Sequence, residues 1–398
     1  MNSRWPLVSL STVLSLYQEY IDAPEPRLYP KLSVRLYGKG VVLDEPADGA
    51  LLRMKRHQLA RGGQVILSEI WGKKGAIGLV PSEGEGALCT SHFFLFDVDY
   101  SRIEQGYLQA IFRANYLEPQ LNTEARGTTG YAAVRPKHLL RAQIPLPPLD
   151  EQRRIVAQIE AYAAAIEEAR GLRRAAVEEA EALFVSILQS VIESLLLAHS
   201  NTTIGSFADV RGGKRLPRGE SLVTYPTPFP YIRVSDMKAH SVDMGSIQYV
   251  PEHIHPQIAQ YTIGSEDVYV TIAGTIGYAG RIPAELHGAN LTENAAKIVL
   301  YNKTQVLADY LVYAIQSPQV QEQFNQKQTV TAQPKLALHR IASTELPLLP
   351  PGEQRRIVAY LDDLQARVDE LTRLQAESAA ELDALLPSIL DRAFKGEL

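Results

Sequence analysis

The sequence predicts an α+β chain in which two mixed α/β domains are separated by two long antiparallel coiled-coil helices, the whole forming a pseudo-twofold internal repeat. Three observations predict it. The run EQRRIVA occurs at 151–157 and returns at 353–359, an offset of 202 that still holds where Ser186-Ile187-Leu188 matches Ser388-Ile389-Leu390. Each copy follows a proline-rich lead, IPLPP at 144–148 and LPLLPP at 346–351. Each also follows a segment of mixed strand and helix pattern. A long gapless match of this kind is one structural unit used twice.

The helices come from periodicity. Ile155, Ile159, Tyr162, Ile166, Ala169, Ala176, Ala180, Leu183 and Ile187 fall on alternating three- and four-residue steps, the seam of a coiled coil. Adding 202 lands on Ile357, Leu361, Leu364, Val368, Leu371, Ser378, Leu382, Leu385 and Ile389, so the stripe persists although most side chains change. The step skipped in each copy holds Arg173 or Gln375. Glu167, Glu168, Glu178, Glu179, Asp362, Asp363 and Glu370 occupy outward positions and read as a solvated face. At about 1.5 Å per residue, some forty-five residues of helix extend roughly 65 Å, longer than one domain is wide. Two narrow stripes of equal length each need a partner, and each other is the economical choice.

Residues 1–143 form the first predicted domain. Stretches 64–67, 76–80 and 93–96 are strand-like, with Gly62-Gly63, Gly72 and Gly75 as turns. An amphipathic helix is expected over 107–117, stopping before Pro119, and a glycine- and hydroxyl-rich loop, RGTTGY, leads back to the proline lead. After the central helical segment 144–203, residues 204–345 repeat this order loosely. Strand patterns at 268–273, 277–282 and 296–301 precede a helix at 308–316, ending before Pro318, and a loop, QTVTAQPK. The segment 346–398 is the second helix. Tyr107-Leu108 pairs with Tyr310-Leu311 in this alignment, with little other identity, so the scaffold repeats while the surfaces differ.

A composition of 45% hydrophobic and 21% charged residues is that of an ordinary globular protein. The single Cys89 cannot close a disulfide within the chain, rules out a cysteine-based metal site and fits a reducing compartment, where it reads as a small core residue. No signal peptide is legible, because serines interrupt the apolar N-terminal stretch. No run approaches the eighteen or so apolar residues of a membrane span, so a cytoplasmic protein without a membrane partner is expected. The formal net charge of −5 argues against a nucleic-acid partner, but its distribution argues back. The two helical segments carry −4 each, residues 1–143 carry +3 and residues 204–345 are neutral, so a groove on either domain can be locally positive.

With two domains each ending in a proline lead and EQRRIVA, the chain resembles the specificity subunit of type I restriction-modification systems over essentially its whole length. The resemblance implies two target-recognition domains, each reading one half of a bipartite site in double-stranded DNA, with the helices setting the gap. It implies no chemistry in this chain and no cofactor of its own. The partners it implies are two methyltransferase (modification) subunits that use S-adenosylmethionine, and restriction subunits driven by ATP, with Mg used by those partners.

Candidate DNA contacts come from residue type. Arg53, Lys55, Arg56 and Arg61 crowd the first domain, and Lys73 and Lys74 sit in a glycine-bordered turn. Arg211, Lys214, Arg215 and Arg218, with Gly212 and Gly213, open the second domain. Phosphates need mobile cations near closely approaching backbone, and this composition offers both; a solvated charged face is the plain alternative. Thr128, Thr129 and Tyr131 in the first loop, and Thr329, Thr331 and Gln333 in the second, are the candidates for base reading; they could equally be turn formers.

Enzyme signals are weak. There is no phosphate-binding loop and no methyltransferase tetrad, which Tyr225-Pro226-Thr227-Pro228-Phe229 only mimics. Asp236-Met237-Lys238, with Glu220 as an outlying acid, has nuclease-like spacing but too few acids for a magnesium site and reads as a turn beside a strand. His253 and His255 would share a face in a strand, but Pro251 and Pro256 bracket them and no third ligand is in sight, so a solvated loop is expected. The rival to a DNA reader is a coiled-coil interaction scaffold without DNA readout.

Overall fold

The proline leads turn out to be strands that close each domain on itself. The computed structural model describes residues 4–22, 25–51, 56–124, 133–326 and 335–398. Gln143–Pro145 pairs antiparallel with Leu7–Ser9, Leu7 opposite Pro145, and Glu345–Pro347 pairs with Asn201–Thr203, Asn201 opposite Pro347. The prolines stand where a short ribbon ends and the long helices begin, a place where the missing N–H costs no ladder bond.

The chain divides into two units, Met1–Arg173 with Ala376–Leu398, and Arg174–Gln375. In the first, an antiparallel four-stranded sheet runs in the order Leu14–Tyr17, Phe93–Val98, Val65–Ser68, Ile77–Leu79. In the second, Ala208–Gly212, Ala295–Leu300, Val268–Thr271 and Ala279–Arg281 take the same order. The expected strands are thus found in matching sheets with ends that differ by one or two residues: 76–80, 268–273 and 277–282 are trimmed, 64–67 and 296–301 shift by one, and 93–96 extends to Val98. Helices Gln105–Arg113 and Ala308–Gln316 cover them.

The first of these helices ends earlier than expected. Asn115 takes a left-handed conformation (φ 53°), and a second helix, Glu118–Glu124, begins with Pro119 in its first turn. Pro318 likewise opens a helix, Pro318–Gln326. Proline tolerates a first turn because its absent N–H has no intrahelical partner there.

The units differ in their smaller sheets. The first has a hairpin, Leu28–Val34 with Val41–Asp48, beside three short strands. The second has a four-stranded sheet, Gln248–Tyr249, Pro230–Ile232, Ala289–Leu291, Thr262–Ile263, with one parallel pair. Neither was legible in the sequence, because Pro30 and Pro46 interrupt the hairpin pattern and the second sheet's strands are two or three residues long.

The long helices are Leu149–Ala198 and Pro351–Lys395. Within the first unit, Ile155 and Ile159 pack with Leu390, Ala393 and Phe394. Within the second, Phe184 and Leu188 pack with Leu361, Leu364 and Val368. Early residues of one helix meet late residues of the other, so the pairing is antiparallel. Phe394 sets its ring edge-on to Tyr107 and Tyr116, each 5.7 Å between centroids.

The seam needs two corrections. Leu183 is 59% exposed and its neighbour Phe184 turns inward instead, because beyond Ile166 the buried face runs through Phe184, Leu188, Ile192 and Leu195 into the domain core. Tyr162 and Leu385 are also largely exposed. Second, no step is skipped: Arg173 and Gln375 are half-buried and continue the stripe as polar residues. Nη1 of Arg173 is buried without a hydrogen-bond partner, a local cost in the stripe. A third correction concerns hydropathy. An 18-residue window inside Leu149–Ala198 reaches a mean hydropathy of 1.7, long and apolar enough to span a membrane by composition alone. Its buried side chains Phe184, Leu188, Ile192 and Leu195 instead fill the core of the second unit.

One side chain in each repeated motif explains why the motif repeats. Gln152 is fully buried; its amide donates to the carbonyls of Arg102 (3.0 Å) and Pro147 (2.8 Å) and accepts from the Glu104 N–H (2.7 Å). Gln354, also fully buried, donates to Gln305 and Leu349 and accepts from Leu307 N–H. Tyr107 and Tyr310 add hydroxyl bonds to the carbonyls of Pro145 (3.0 Å) and Pro347 (2.7 Å). The lead, the long helix and the covering helix are thereby held in one joint.

Substitutions at the seam and at the joint test both assignments. Leu188→Ala should lower stability to urea by about 2–5 kcal/mol through the cavity it leaves, whereas Leu183→Asp should cost about 1 kcal/mol or less at its exposed position. Gln354→Leu strands a buried N–H and two carbonyls and should cost about 1–3 kcal/mol in the same measurement; wild-type stability would mean the joint is dispensable.

Candidate nucleic-acid interface

Of the candidate contacts, Arg53, Lys55, Thr128, Thr129, Tyr131, Thr329, Thr331 and Gln333 lie outside the described residues. The others divide between the two units. In the first, Arg56 starts the strand Arg56–Leu59 and stacks its guanidinium over Tyr20, 4.1 Å from the ring centroid. Arg61 pairs with Glu19 (3.1 Å) and lies over Tyr17 (4.7 Å). Both stay at the surface, where such pairs contribute little to stability and open readily to a phosphate. Lys73 and Lys74 belong to a 3-10 turn, Gly72–Lys74, closed by Gly75 at φ 72°. A side chain at Gly75 would come within 2.2 Å of Asn115 Oδ1, so glycine here serves both turn geometry and close packing. Lys74 Nζ lies 5.3 Å from the ring centroid of Trp71, itself 48% exposed.

In the second unit the cluster at 211–218 is less free than its composition suggests. Arg211 pairs with Asp209 (2.7 Å) and Arg215 with Glu293 (2.8 Å), while Lys214 lies over Tyr261 (5.7 Å). Arg218 is exposed. Gly213 is required for another reason than phosphate approach: a Cβ there would sit 2.1 Å from the Thr292 carbonyl oxygen and 2.3 Å from that of Leu291. The segment is strapped against that strand, with Lys214 N–H donating to Leu291 O (2.8 Å).

The enzyme-like signals resolve into structure. Asp236 is fully buried and accepts from Arg233 through its backbone N–H, Nε and Nη2 and from Ser246 Oγ, which leaves its carboxylate committed to Arg233. His255 is in a short helix, His255–Ile258, not a strand or a solvated loop, and stacks flat on Phe229 with centroids 3.6 Å apart. His253 faces Glu220 at 3.7 Å. Thr227 Oγ1 donates to Val250 O (2.8 Å) and braces a turn. Among the described residues no three His, Cys, Asp or Glu side chains converge as a metal site. Burial pushes the Cys89 thiol up to about 12, consistent with a core residue.

The structure also supplies surfaces that sequence reasoning missed. Tyr162, Ile166, Leu382, Leu385 and Ile389 line an apolar cleft of about 550 Å³ between the helices of the first unit. In the second unit Leu183, Ile187, Leu364, Val368 and Leu371 line another of about 230 Å³. Adding 202 carries Tyr162 to Leu364, Ile166 to Val368, Leu183 to Leu385 and Ile187 to Ile389, so the clefts are one feature made twice. The seam residues that proved exposed are its walls.

The class this architecture defines is a tandem protein, a sheet domain closed onto paired helices and made twice, with surface cations on each copy. Residues 200–381 match the family model described as type I restriction modification DNA specificity domain. The chain is 28% identical over 167 residues (42% of its length) to the type I restriction enzyme EcoBI specificity subunit of Escherichia coli. It is 23% identical over 281 residues (67%) to the EcoKI specificity subunit of Escherichia coli strain K12. These matches span 35% and 60% of the relatives' own lengths. Among solved structures, a chain from work on complex assembly and conformational transition of the type I R-M system aligns with TM-score 0.71 and 25% identity, covering 99% of this chain and 98% of that one. The HsdS subunit from Thermoanaerobacter tengcongensis aligns with TM-score 0.60 and 24% identity, covering 99% and 97%. Residues 200–381 thus match a type I restriction modification DNA specificity domain, and over its whole length the chain has the fold of the specificity subunits it resembles.

If the 211–218 segment meets DNA, replacing Lys214, Arg215 and Arg218 together by Ala should lower the salt dependence of DNA binding by the assembled complex. Each lost phosphate contact removes roughly one unit of slope, and the existing Arg215–Glu293 pair puts the expected loss nearer two than three. An unchanged slope returns the cluster to the solvated face.

Proposed function

We propose that this chain is the sequence-reading subunit of a type I restriction-modification complex. Residues 1–143 and 204–345 act as target-recognition domains, each reading one half of a bipartite duplex site. The helical segments 144–203 and 346–398 set the gap and dock two modification subunits. Through these the restriction subunits join, with S-adenosylmethionine, ATP and Mg consumed by the partners and none held by this chain, which directs catalysis without performing it. The setting is the cytoplasm, and the apolar stretch of Leu149–Ala198 is core and cleft wall, not a span.

The observation that carries this reading is the 202-residue repeat of domain, joint and cleft together. Two copies of one cleft suit two copies of one partner, and two domains with one scaffold but different small sheets suit two different half-sites. A scaffold without DNA readout would explain the clefts but not the family match over the second domain.

The helices as a ruler can be tested by length. Four residues inserted into each, near Arg173 and Gln375, add about 6 Å and a net turn of roughly 40°. One base pair adds about 3.4 Å and turns nearly the same angle. Methylated-site sequencing should show both half-sites unchanged and the gap longer by one, at most about two, base pairs. Two-residue insertions turn the helix beyond the insertion by about 200° and should abolish modification. An unaltered gap, or normal modification by the two-residue variant, would show that the helices are not the ruler.

A further inference from the structure

The tip of the hairpin in the first unit is a tight turn, closed by Lys39 N–H donating to Leu36 O (3.3 Å), that presents a tyrosine where glycine or asparagine is usual. Tyr37 has φ 58°, a left-handed backbone that a bulky side chain rarely adopts. It is 54% exposed, and its ring has no aromatic or hydrogen-bond partner among the described residues. The one comparable residue in the second unit's small-sheet region, His240 at φ 69°, packs its ring against Tyr313 at 4.8 Å. There the ring is packed; at Tyr37 only the backbone is held, by the turn and by the bond to Lys74, and the ring is left in solvent. A large aromatic side chain at such a turn, with its ring unpacked, is a pointer to a contact outside the chain.

The tip is held rigidly. Tyr37 N–H donates to Lys74 O (2.7 Å) and Gly38 N–H to Gly75 O (3.0 Å), which fastens it to the basic turn, and Arg35 N–H donates to Gly40 O (2.9 Å) across the hairpin end. A Cβ on Gly38 would meet Phe112 O at 2.1 Å, and one on Gly78 would meet Val41 Cγ2 at 2.9 Å, so the hairpin lies directly on the main sheet and its covering helix. Lys39 is exposed at the tip, and Lys74 and the exposed Trp71 belong to the turn the tip is bonded to. An aromatic ring presented on a fixed backbone with cations around it is the chemistry that meets bases or sugars with the ring and phosphates with the ammonium groups.

We propose that the 35–40 tip is a DNA-contacting element for the first half-site, with Tyr37 against the bases or sugars of the groove and Lys39 and Lys74 on the flanking phosphates. This rests on the DNA-reading function above. The test uses the complex assembled with its modification subunits, the target duplex defined by sequencing methylated sites, and two control duplexes, each with one half-site scrambled. Tyr37→Gly should reduce the preference for the intact over the first-half-scrambled duplex about tenfold, while preference at the second half and the melting temperature hold, because glycine accepts the left-handed conformation. Tyr37→Phe should keep the preference, and Lys39→Ala should lower the salt slope by about one. A Tyr37→Gly complex with undiminished first-half preference, or a Lys39→Ala complex with an unchanged slope, overturns the corresponding contact. A wild-type complex that distinguishes neither half-site overturns the DNA-reading function itself, an outcome separate from either variant result.

Discussion

A buried primary amide, made twice, is the constraint on which each unit depends. Gln152 and Gln354 sit in the first turns of the long helices and must each satisfy two carbonyls and one N–H belonging to other segments. Glutamine alone among side chains of this length offers two donors and an acceptor on one planar group. Glutamate could not donate to the carbonyls and would bury a charge. The amide therefore fixes the angle at which a helix of this length leaves its domain, and any error there grows along the helix. The tyrosine hydroxyls on Pro145 and Pro347 tie the lead strand into the same joint.

On that fixed joint the two units diverge where divergence is useful. The main sheets, the lead ribbons and the covering helices correspond. Even the points where the divergent segment meets the shared sheet correspond: Gly78 and Gly280, 202 residues apart, both stand where a Cβ would collide, with Val41 in one unit and with Tyr269 and His240 in the other. What rests on those glycines is a hairpin in one case and an irregular loop in the other. A shared sheet with different segments laid on it lets one scaffold carry two different surfaces. The clefts vary less, yet Tyr162 and Ala165 in one are replaced by Leu364 and Arg367 in the other, so two identical partners would meet slightly different walls.

Much of this was legible in the chain because it is local. Strands at 65–68, 93–98 and 268–271 announce themselves by apolar runs between glycines, and Ala308–Gln316 by its spacing and the proline beyond. The contact candidates were less legible. Arg211 and Arg215 look like free cations until Asp209 and Glu293 are found beside them, and Gly213 looks like a phosphate cradle until the Leu291 and Thr292 carbonyls are found above it. Partners distant in sequence leave no periodic mark.

The sequence by itself determined the repeat, the two helices and the resemblance they carry, because periodicity and a gapless offset are properties of the chain alone. Only the tertiary structure decided which face of each helix is buried. Leu183 and Phe184 are adjacent and equally apolar, and a seam read at three- and four-residue steps can take either; the domain core selects Phe184 and leaves Leu183 as a cleft wall. It also decided that the Gln in EQRR is a joint and that Tyr37 stands exposed at a hairpin turn. Burial and backbone conformation are set by what packs alongside, and that is not written in the spacing of residues.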